Sequence, residues 1–326
     1  MNKQLLSFLL ILLMSMVGTK TLAYDIAVAN TDGVTIYYDW INNNTELAVS
    51  YSNEYSGNVV IPSSVEYNGK TYSVTCIDRL AFSKCSGLTS VTIPNSVIYI
   101  GWDAFSGCSG LSSVTIGNSV EEIDENAFSG CYNLTSISIP NSVKLIYHGA
   151  FAGCYGLNTI IVEDGNAVFD SRNNCNAIIR TSSNSLEAGC KNTKIPNSVI
   201  CIDDHAFYGI SNLTSIEIPN SITTIKRYAF GRCSNLTSIK IPYSVTSVDR
   251  FSFYSTGWYN SQPDEMLYID NCLLGYKEEK ISGDYYIKEG TRIIAGNAFR
   301  DCSDLTSVTI PNSVTNIGEY AFQGCI

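Results

Sequence analysis

Histidine, charged side chains and long apolar runs are all scarce in this chain, and each shortage argues against a class of function. The 326 residues contain two histidines, His148 and His205, so histidine-based metal sites and acid–base catalysis have little to build on. Charged residues make up 15% of the chain, and acidic residues outnumber basic ones by 30 to 20. Binding to nucleic acid or to an anionic membrane depends on Lys and Arg, so we expect neither.

The one marked apolar run lies at the N-terminus. Residues 5–17 are apolar, they follow Lys3, and they precede the small residues of a cleavage site at 21–23, which is the layout of a secretory signal peptide. We predict cleavage near Ala23, which would remove Lys3 and Lys20 and leave 18 basic against 30 acidic side chains. No later segment approaches the ~20 apolar residues of a membrane helix. The expected product is a secreted or cell-surface protein with no transmembrane segment after cleavage.

A repeat of 23 residues dominates the rest of the chain. Nine phenylalanines mark it. An alanine precedes each of them except Phe253, which follows Ser252. A fixed period of this length with recurring aliphatic residues predicts a leucine-rich-repeat solenoid, in which stacked units bury a common core. The repeat phenylalanines are Phe82, Phe105, Phe128, Phe151, Phe207, Phe230, Phe253, Phe299 and Phe322.

Each unit predicts the same local structure. An alternating stretch such as Val91-Thr92-Ile93 is typical of a half-buried strand, and the proline that follows ends it because proline cannot donate to a ladder. A second short extended piece follows, and the Ala-Phe-x-x-Cys segment makes a short helical or 3-10 turn into the next unit. The expected fold is therefore a mostly β solenoid of parallel stacked strands, about 4.8 Å apart.

The rhythm also predicts the domain boundaries. Residues 24–70 do not repeat and read as an N-terminal β cap with strands at 24–28, 34–41 and 46–51, and the solenoid occupies 71–326. Two inserts, at about 163–195 and 255–290, each read as a projecting hairpin with turns at 181–185 and 278–284. The chain stops within a unit, so we expect that the intact protein continues beyond Ile326.

Most of the 12 cysteines belong to the repeat. They lie three residues after the repeat phenylalanine, where Ile210 and Thr256 stand in two other units, which indicates a small buried packing site. Disulfides between units and a catalytic or metal-binding role are the alternatives. Within the first hairpin, Cys175 and Cys190 fall opposite each other, and this pair is the best candidate for a disulfide.

No constellation for catalysis is evident. The sequence contains no glycine-rich phosphate loop, zinc-ligand spacing or His-Glu motif, and both histidines stand at variable positions where we expect solvated side chains. The densest acidic cluster, at 121–125, is either a solvated face or a weak calcium site. We predict no enzyme activity, no catalytic or metal-binding residues and no cofactor.

Two features suggest binding surfaces. The outward strand positions carry mostly Ser and Thr, which suit an exposed strand but supply few anchors for a partner. Aromatic residues crowd the second insert, where they either contact a partner or pack the hairpin onto the solenoid. The candidate partner-binding residues are Trp258, Tyr259, Tyr268, Tyr276, Tyr285 and Tyr286.

The unit Leu-Thr-Ser-Val-Thr-Ile-Pro-Asn-Ser-Val with Ala-Phe-x-x-Cys closely resembles the BspA-type leucine-rich repeat of bacterial surface proteins over about residues 59–326. The resemblance implies an exported or surface-attached protein, adhesin-like, that binds host or bacterial surface or matrix proteins. The alternative is a glycan-binding surface protein of a nutrient-uptake system, with exposed Trp or Tyr platforms. A hydrolase is a third possibility without a supporting constellation.

Overall fold

A computed structural model describes residues 24–30 and 32–325. The predicted signal peptide, residues 1–23, lies outside the described residues. The described chain forms a mostly β solenoid, which confirms the fold class. A regular unit contributes one strand to a first sheet, here the leucine sheet, and a shorter strand to a second, here the isoleucine sheet, and the inward side chains of both pack into the buried interior, which comprises three hydrophobic clusters.

The leucine sheet is parallel and falls into three separate groups. Where a unit has a proline after its leucine strand, as at Pro62, Pro94, Pro140 and Pro311, the strand ends before it, as predicted. The first group is β4 (Gly57–Val60), β7 (Leu88–Thr92) and β9 (Ser113–Thr115); the second is β11 (Ser136–Ile139) and β13 (Thr159–Val162); the third is β22 (Gly283–Tyr286) and β24 (Leu305–Thr309).

The isoleucine sheet consists of short strands that pair in parallel from unit to unit within three separate groups, which the two inserts divide. They are β6 (Lys70–Ile77), β8 (Tyr99–Ile100), β10 (Glu122–Ile123), β12 (Leu145–Ile146), β17 (Cys201–Ile202), β18 (Thr224–Ile225), β19 (Ser247–Val248), β23 (Ile293–Ile294) and β25 (Asn316–Ile317).

The N-terminal segment extends the isoleucine sheet. Antiparallel pairs join β1 (Ile26–Ala29) to β2 (Thr35–Ile41) and β2 to β3 (Glu46–Val49), and β5 (Ser64–Tyr67) forms a hairpin with β6. Parallel pairing begins with β3 against β6 and β4 against β7, so the cap and the solenoid share both sheets.

Each insert is a hairpin whose last strand occupies a place in the isoleucine sheet. The first comprises β14 (Phe169–Asp170), a 3-10 turn (Arg172–Asn174), β15 (Ala177–Arg180) and β16 (Ser185–Gly189), which pairs in parallel with β17. The second comprises a helix (Gly257–Ser261), β20 (Met266–Ile269) and β21 (Cys272–Tyr276), which pairs in parallel with β23.

The hairpins therefore do not project, and that prediction is wrong. Leu186 of β16 and Leu273 of β21 are fully buried, so the return strands replace the strand of a regular unit and fill its share of the core. The turn of the first hairpin lies within the predicted segment, but that of the second lies at 270–271. Asp270 adopts a left-handed φ of 49° there, which Asp tolerates better than most residues.

The predicted strands at 213–218 and 236–241 are also absent, although these segments carry the same aliphatic pattern. In the next unit along the chain, the helix Gly257–Ser261 occupies the position of the leucine strand, so it provides no strand for them to pair with. The carboxylate of Asp270 accepts the Ile241 N–H at 2.9 Å, a bond that a neighbouring strand would otherwise provide. The second insert thus interrupts the leucine sheet.

A ladder of phenylalanine rings runs through the core. Phe82, Phe105, Phe128 and Phe151 stack at centroid distances of 4.8, 5.1 and 5.6 Å, with interplanar angles of 11° or less. Phe207, Phe230 and Phe253 form a second stack, and Phe299 stacks on Phe322. Equivalent side chains of successive units therefore stack in the interior, as the repeat predicts, but within three buried clusters whose boundaries fall at the two inserts.

The repeat cysteines add a hydrogen bond between units. Cys108 Sγ donates to the carbonyl oxygen of Phe82 in the preceding unit at 2.9 Å, and that oxygen also accepts the Cys85 N–H at 3.0 Å. The same contact recurs at Cys131, Cys154, Cys233 and Cys325. The thiol satisfies the second lone pair of a buried carbonyl, which an aliphatic side chain of similar size cannot do.

We expect the native thiols to react very slowly. Burial raises the pKa of Cys85 to about 11 and that of Cys108 and Cys233 to about 12, and only the thiolate is nucleophilic. Ellman titration at pH 8 should therefore count few thiols in the folded protein and all 12 after unfolding. Rapid reaction of most thiols in the folded state would contradict the buried column. A total of ten after unfolding without reductant would indicate the predicted disulfide between Cys175 and Cys190.

Candidate binding surface

The aromatic residues predicted from the second insert are mostly engaged in packing. Trp258 and Tyr259 of the helix pack against the core, and Tyr259 Oη donates to the Lys277 carbonyl at 2.9 Å. Tyr276 is 8% exposed, and its hydroxyl donates to the Arg300 carbonyl at 2.9 Å. These contacts fix the hairpin on the solenoid.

The remaining three candidates differ in exposure. The hydroxyls of Tyr268 and Tyr285 lie 3.0 Å apart, and the ring of Tyr285 meets that of Phe299 at 5.7 Å. Tyr286 is 70% exposed. A role in partner binding stays a prediction for all six, and Tyr286 alone presents most of its ring to solvent.

Cys175 and Cys190 lie at the same end of the first hairpin, where Ala177 pairs with Gly189. Both carry free thiols in this structure, and each contacts a carbonyl oxygen instead: Cys175 Sγ that of Ala177 at 3.8 Å, Cys190 Sγ that of Asn176 at 3.6 Å. Their disulfide stays a prediction.

The acidic cluster at 121–125 makes contacts within the protein. Glu121 forms an ion pair with Lys144 at 2.6 Å, and Asp124 accepts a hydrogen bond from Tyr99 Oη. Within residues 24–30 and 32–325, no three His, Cys, Asp or Glu side chains are grouped as metal ligands would be. No helix in the same residues is long and apolar enough to span a bilayer.

A third face of the solenoid, here the turn face, is built from the segments around the repeat phenylalanines. The N–H groups of Asp103, Phe105 and Gly107 donate to Glu125, Ala127 and Ser129 of the next unit at 2.7–3.0 Å. The preceding peptide carbonyls accept from the unit before, so these peptide groups lie along the solenoid axis. The turn face is therefore a backbone ladder that joins successive units.

Left-handed backbone marks two positions of this face. Two residues before the repeat phenylalanine, the first four units carry Leu80 (φ 61°), Asp103 (φ 53°), Asn126 (φ 55°) and Gly149 (φ 69°). In the later units the same position holds His205 (φ 60°) and Tyr228 (φ 53°). Large side chains avoid this conformation, and an observed exception often marks a functional surface.

These substitutions produce an aromatic surface. His205, Tyr228 and Phe251 follow one another at ring-centroid distances of 5.3 and 5.4 Å. Tyr208 and Tyr254 approach Tyr228 edge-on at 5.9 and 6.1 Å. The five rings form one half-buried cluster over three consecutive units.

Arginine side chains border this cluster. The guanidinium of Arg227 lies 5.0 Å from the Tyr228 ring centre and 5.4 Å from that of Phe251, and Arg232 lies 5.6 Å from Tyr208. Among the described residues, neither guanidinium makes an ion pair or a hydrogen bond, and both residues are exposed. Together with Arg250, which lies over Phe251 at 5.0 Å, these residues complete a surface here called the aromatic–arginine band: His205, Tyr208, Arg227, Tyr228, Arg232, Arg250, Phe251 and Tyr254.

His205 is half-buried, which contradicts the expectation of a solvated side chain. Burial lowers its pKa, so the imidazole is neutral at pH 7. Its Nδ1 atom is buried and has no hydrogen-bond partner in the described part of the chain. His148 is exposed, as expected.

An open cavity of about 470 Å³ adjoins the band. Arg227 and Phe251 form one side, and Asn297, Arg300 and Tyr320 of the later units form the other. It lies where the second insert separates neighbouring units, which are joined there by a bridge between Asp249 and Gly296 and by a hydrogen bond from the Asn297 side chain to the Asp249 carboxylate at 2.9 Å. The volume falls within the range of ligand sites, about 300–1,000 Å³.

Sequence reasoning missed this band. Its aromatic residues stand at positions that vary from unit to unit, and variability was interpreted as exposure to solvent. The available signal was the run of His, Tyr and Phe at one repeat position in three successive units.

Comparisons with known proteins agree with this architecture. The model of the BspA type leucine rich repeat region matches in six copies over residues 58–178, 177–272 and 276–326. The structure of the pneumococcal vaccine antigen PcpA is similar at a TM-score of 0.53 and 16% identity, over 93% of this chain and 86% of that one. At that identity the likeness shows the fold alone.

Two other solved structures align over most of the chain. A leucine-rich repeat protein from Bacteroides ovatus is 24% identical over 93% of this chain and 80% of its own, at a TM-score of 0.48. A leucine rich cell surface protein from Faecalibacterium prausnitzii is 22% identical over 92% and 93%, at a TM-score of 0.40. No curated protein matches the chain. On the strength of the repeat model, which covers most of its length, the chain belongs to the BspA-type leucine-rich repeat family.

Proposed function

We propose that this chain is an exported, non-catalytic surface protein that binds a protein partner in an adhesion-type role. The observation that carries the proposal is the aromatic–arginine band. Interface residues that dominate binding energy are enriched in Trp, Tyr and Arg, and the band concentrates Tyr and Arg on one face.

The band has the properties of a prepared contact surface. Its backbone is held by the turn-face ladder, so little conformational entropy is lost when a partner binds. The guanidinium groups of Arg227 and Arg232 already lie over aromatic rings and keep their N–H donors unpaired among the described residues. Arginine in this arrangement suits carboxylates and carbonyl groups of a protein partner.

The test compares two position-matched double variants. Arg227 and Arg232 stand three residues before and two after Phe230, and Arg79 and Lys84 stand at the same places around Phe82. We expect Arg227→Ala with Arg232→Ala to weaken binding to immobilised collagen, laminin, fibronectin or intact epithelial cells by about tenfold or more. Arg79→Ala with Lys84→Ala should leave binding unchanged.

Neither double variant should alter the melting temperature, because the four side chains are exposed. Equal loss in both variants would show a general charge effect and contradict a role for the band. Absence of binding to every matrix protein and cell type would contradict the adhesion-type role itself.

A further inference from the structure

A second cavity lies on the turn face, beside the aromatic–arginine band. It measures about 480 Å³ and is an open groove. Tyr132 and Tyr155 line one wall, and Tyr208 lies on the other side.

The absence of side chains at one repeat position creates the floor. Two residues after the repeat phenylalanine, Gly107, Gly130, Gly153 and Gly209 adopt left-handed φ of 71–74°. A Cβ atom on Gly209 would lie 2.9 Å from the Gly153 Cα atom, so the two units that flank the first insert approach closely here. The groove ends where Arg232 occupies the same repeat position.

The walls are aromatic where other units have small residues. Tyr132 and Tyr155 stand at a position that is serine in most units. Their rings stack at 4.9 Å with an interplanar angle of 11°, and they are 43% and 37% exposed. Each ring covers one face of the other, and the stacked pair keeps a partly exposed aromatic surface at the edge of the cavity.

The polar side-chain groups around the groove have no hydrogen-bond partner among the described residues. They are the hydroxyls of Tyr132, Tyr155, Tyr208, Ser129 and Ser211 and the guanidinium of Arg232. Flat aromatic surfaces beside several unpaired hydroxyls suit a ligand that is apolar on its ring faces and rich in hydroxyls at its edge.

We propose that this groove binds a neutral oligosaccharide, with a pyranose ring stacked on the Tyr132–Tyr155 pair and its hydroxyls bonded to the serine, tyrosine and Arg232 side chains. Pyranose rings present C–H groups on their faces and hydroxyls around their rim. The groove shares Tyr208 and Arg232 with the aromatic–arginine band, but sugar binding at the Tyr132–Tyr155 pair does not require the protein partner assigned to the band.

An extended peptide fits the groove less well. Peptides that lie along a backbone surface pair with unsatisfied N–H and C=O groups. Here the N–H groups of Gly130, Gly153 and Gly209 already donate to Ala152, Tyr208 and Gly231 at 2.7–2.8 Å. The floor therefore offers no strand edge to add to, and its glycines form no pockets for side chains.

A polyanionic ligand is also less suitable, because Arg232 is the one charged residue that lines the groove. Sulfated or uronate-containing chains require several cations along their length. Neutral sugars require none.

Isothermal titration with neutral hexasaccharides tests the proposal: cellohexaose, mannohexaose, chitohexaose and maltohexaose, with a heparin hexasaccharide as the anionic comparison. We expect saturable binding of at least one neutral probe, weakened about tenfold or more by Tyr155→Ala. Tyr155→Phe should retain most of the affinity, because it keeps the ring and removes one hydroxyl. Tyr147→Ala, which removes a tyrosine of similar exposure (41%) at a different repeat position, is the matched control and should bind as the parent protein does.

Three results would overturn the proposal: no binding of any neutral hexasaccharide at millimolar concentration, equal losses in Tyr155→Ala and Tyr147→Ala, or binding of heparin alone. Tyr132→Ala provides a second variant if Tyr155→Ala unfolds. The double variant Arg227→Ala with Arg232→Ala does not fully distinguish the groove from the band, because Arg232 borders both. The single variant Arg227→Ala should weaken binding of the protein partner and leave sugar binding intact.

Discussion

Replacing Phe128 with alanine is expected to lower the free energy of unfolding by about 3–5 kcal/mol. The ring is fully buried and stacks on Phe105 at 5.1 Å and on Phe151 at 5.6 Å, so its loss leaves a cavity between these two rings. The surrounding backbone is held by ladders on three faces and has little freedom to collapse into that space. Equilibrium urea unfolding followed by circular dichroism measures the change.

Phe322→Ala is the matched control for this prediction. Phe322 occupies the same repeat position, but it is half-buried and stacks on one ring, that of Phe299 at 5.0 Å. Its removal should lower the free energy of unfolding by clearly less than the removal of Phe128. If the two variants lost equal stability, the ring ladder would not be the source of the effect.

The second large effect is expected from Gly209→Ala, which should lower the free energy of unfolding by about 2–4 kcal/mol. The new methyl group would meet the Gly153 Cα atom at 2.9 Å and its nitrogen at 3.1 Å, and both belong to backbone that cannot move aside. The φ of +71° adds the penalty of a left-handed residue. Thermal and urea unfolding measure the loss.

Gly165→Ala separates these two contributions. Gly165 has a φ of +85°, and a Cβ atom there would meet nothing within 4 Å, so alanine carries the conformational penalty alone, about 1–2 kcal/mol. A loss no larger at Gly209 than at Gly165 would show that the units beside the first insert do not approach as closely as described.

The repeat made the core predictable. The spacing of the phenylalanines and aliphatic residues requires equivalent side chains to stack, and Phe105, Leu111 and Ile123 are all fully buried. Proline positions likewise predicted where the leucine strands end. The strands of the N-terminal segment were predicted to within two residues at each end, because alternation and turn residues bound them.

The inserts were harder to predict because their residues do not follow the 23-residue repeat, so the repeat does not indicate their structure. The sequence predicts the turn of the second hairpin at 278–284, but the chain turns at Asp270, whose left-handed conformation the aliphatic pattern conceals. Whether a hairpin projects or joins a sheet depends on partners distant in sequence, such as the pairing of β21 with β23.

The candidate surfaces were not predicted for a related reason. A repeat alignment shows which positions vary, but it does not show that His205, Tyr228 and Phe251 meet, since that depends on the direction of the side chains on the turn face. The groove was missed because its glycines are significant only in three dimensions, where four successive units lack a side chain at one place.

The axial hydrogen bonds of the turn face all run in the same direction from one unit to the next, which affects how such a protein can gain or lose units. On the turn face, the carbonyl oxygens of each unit accept hydrogen bonds from the preceding unit, and its N–H groups donate to the next unit. Because these bonds involve only the backbone, they do not depend on the identity of the outer residues. Duplication or deletion in steps of 23 residues would preserve every junction, and larger additions are absorbed as well: Gly153 donates to Tyr208 at 2.7 Å across the first insert. Recombination can therefore change the length and outer residues of such a protein while its joints remain chemically the same.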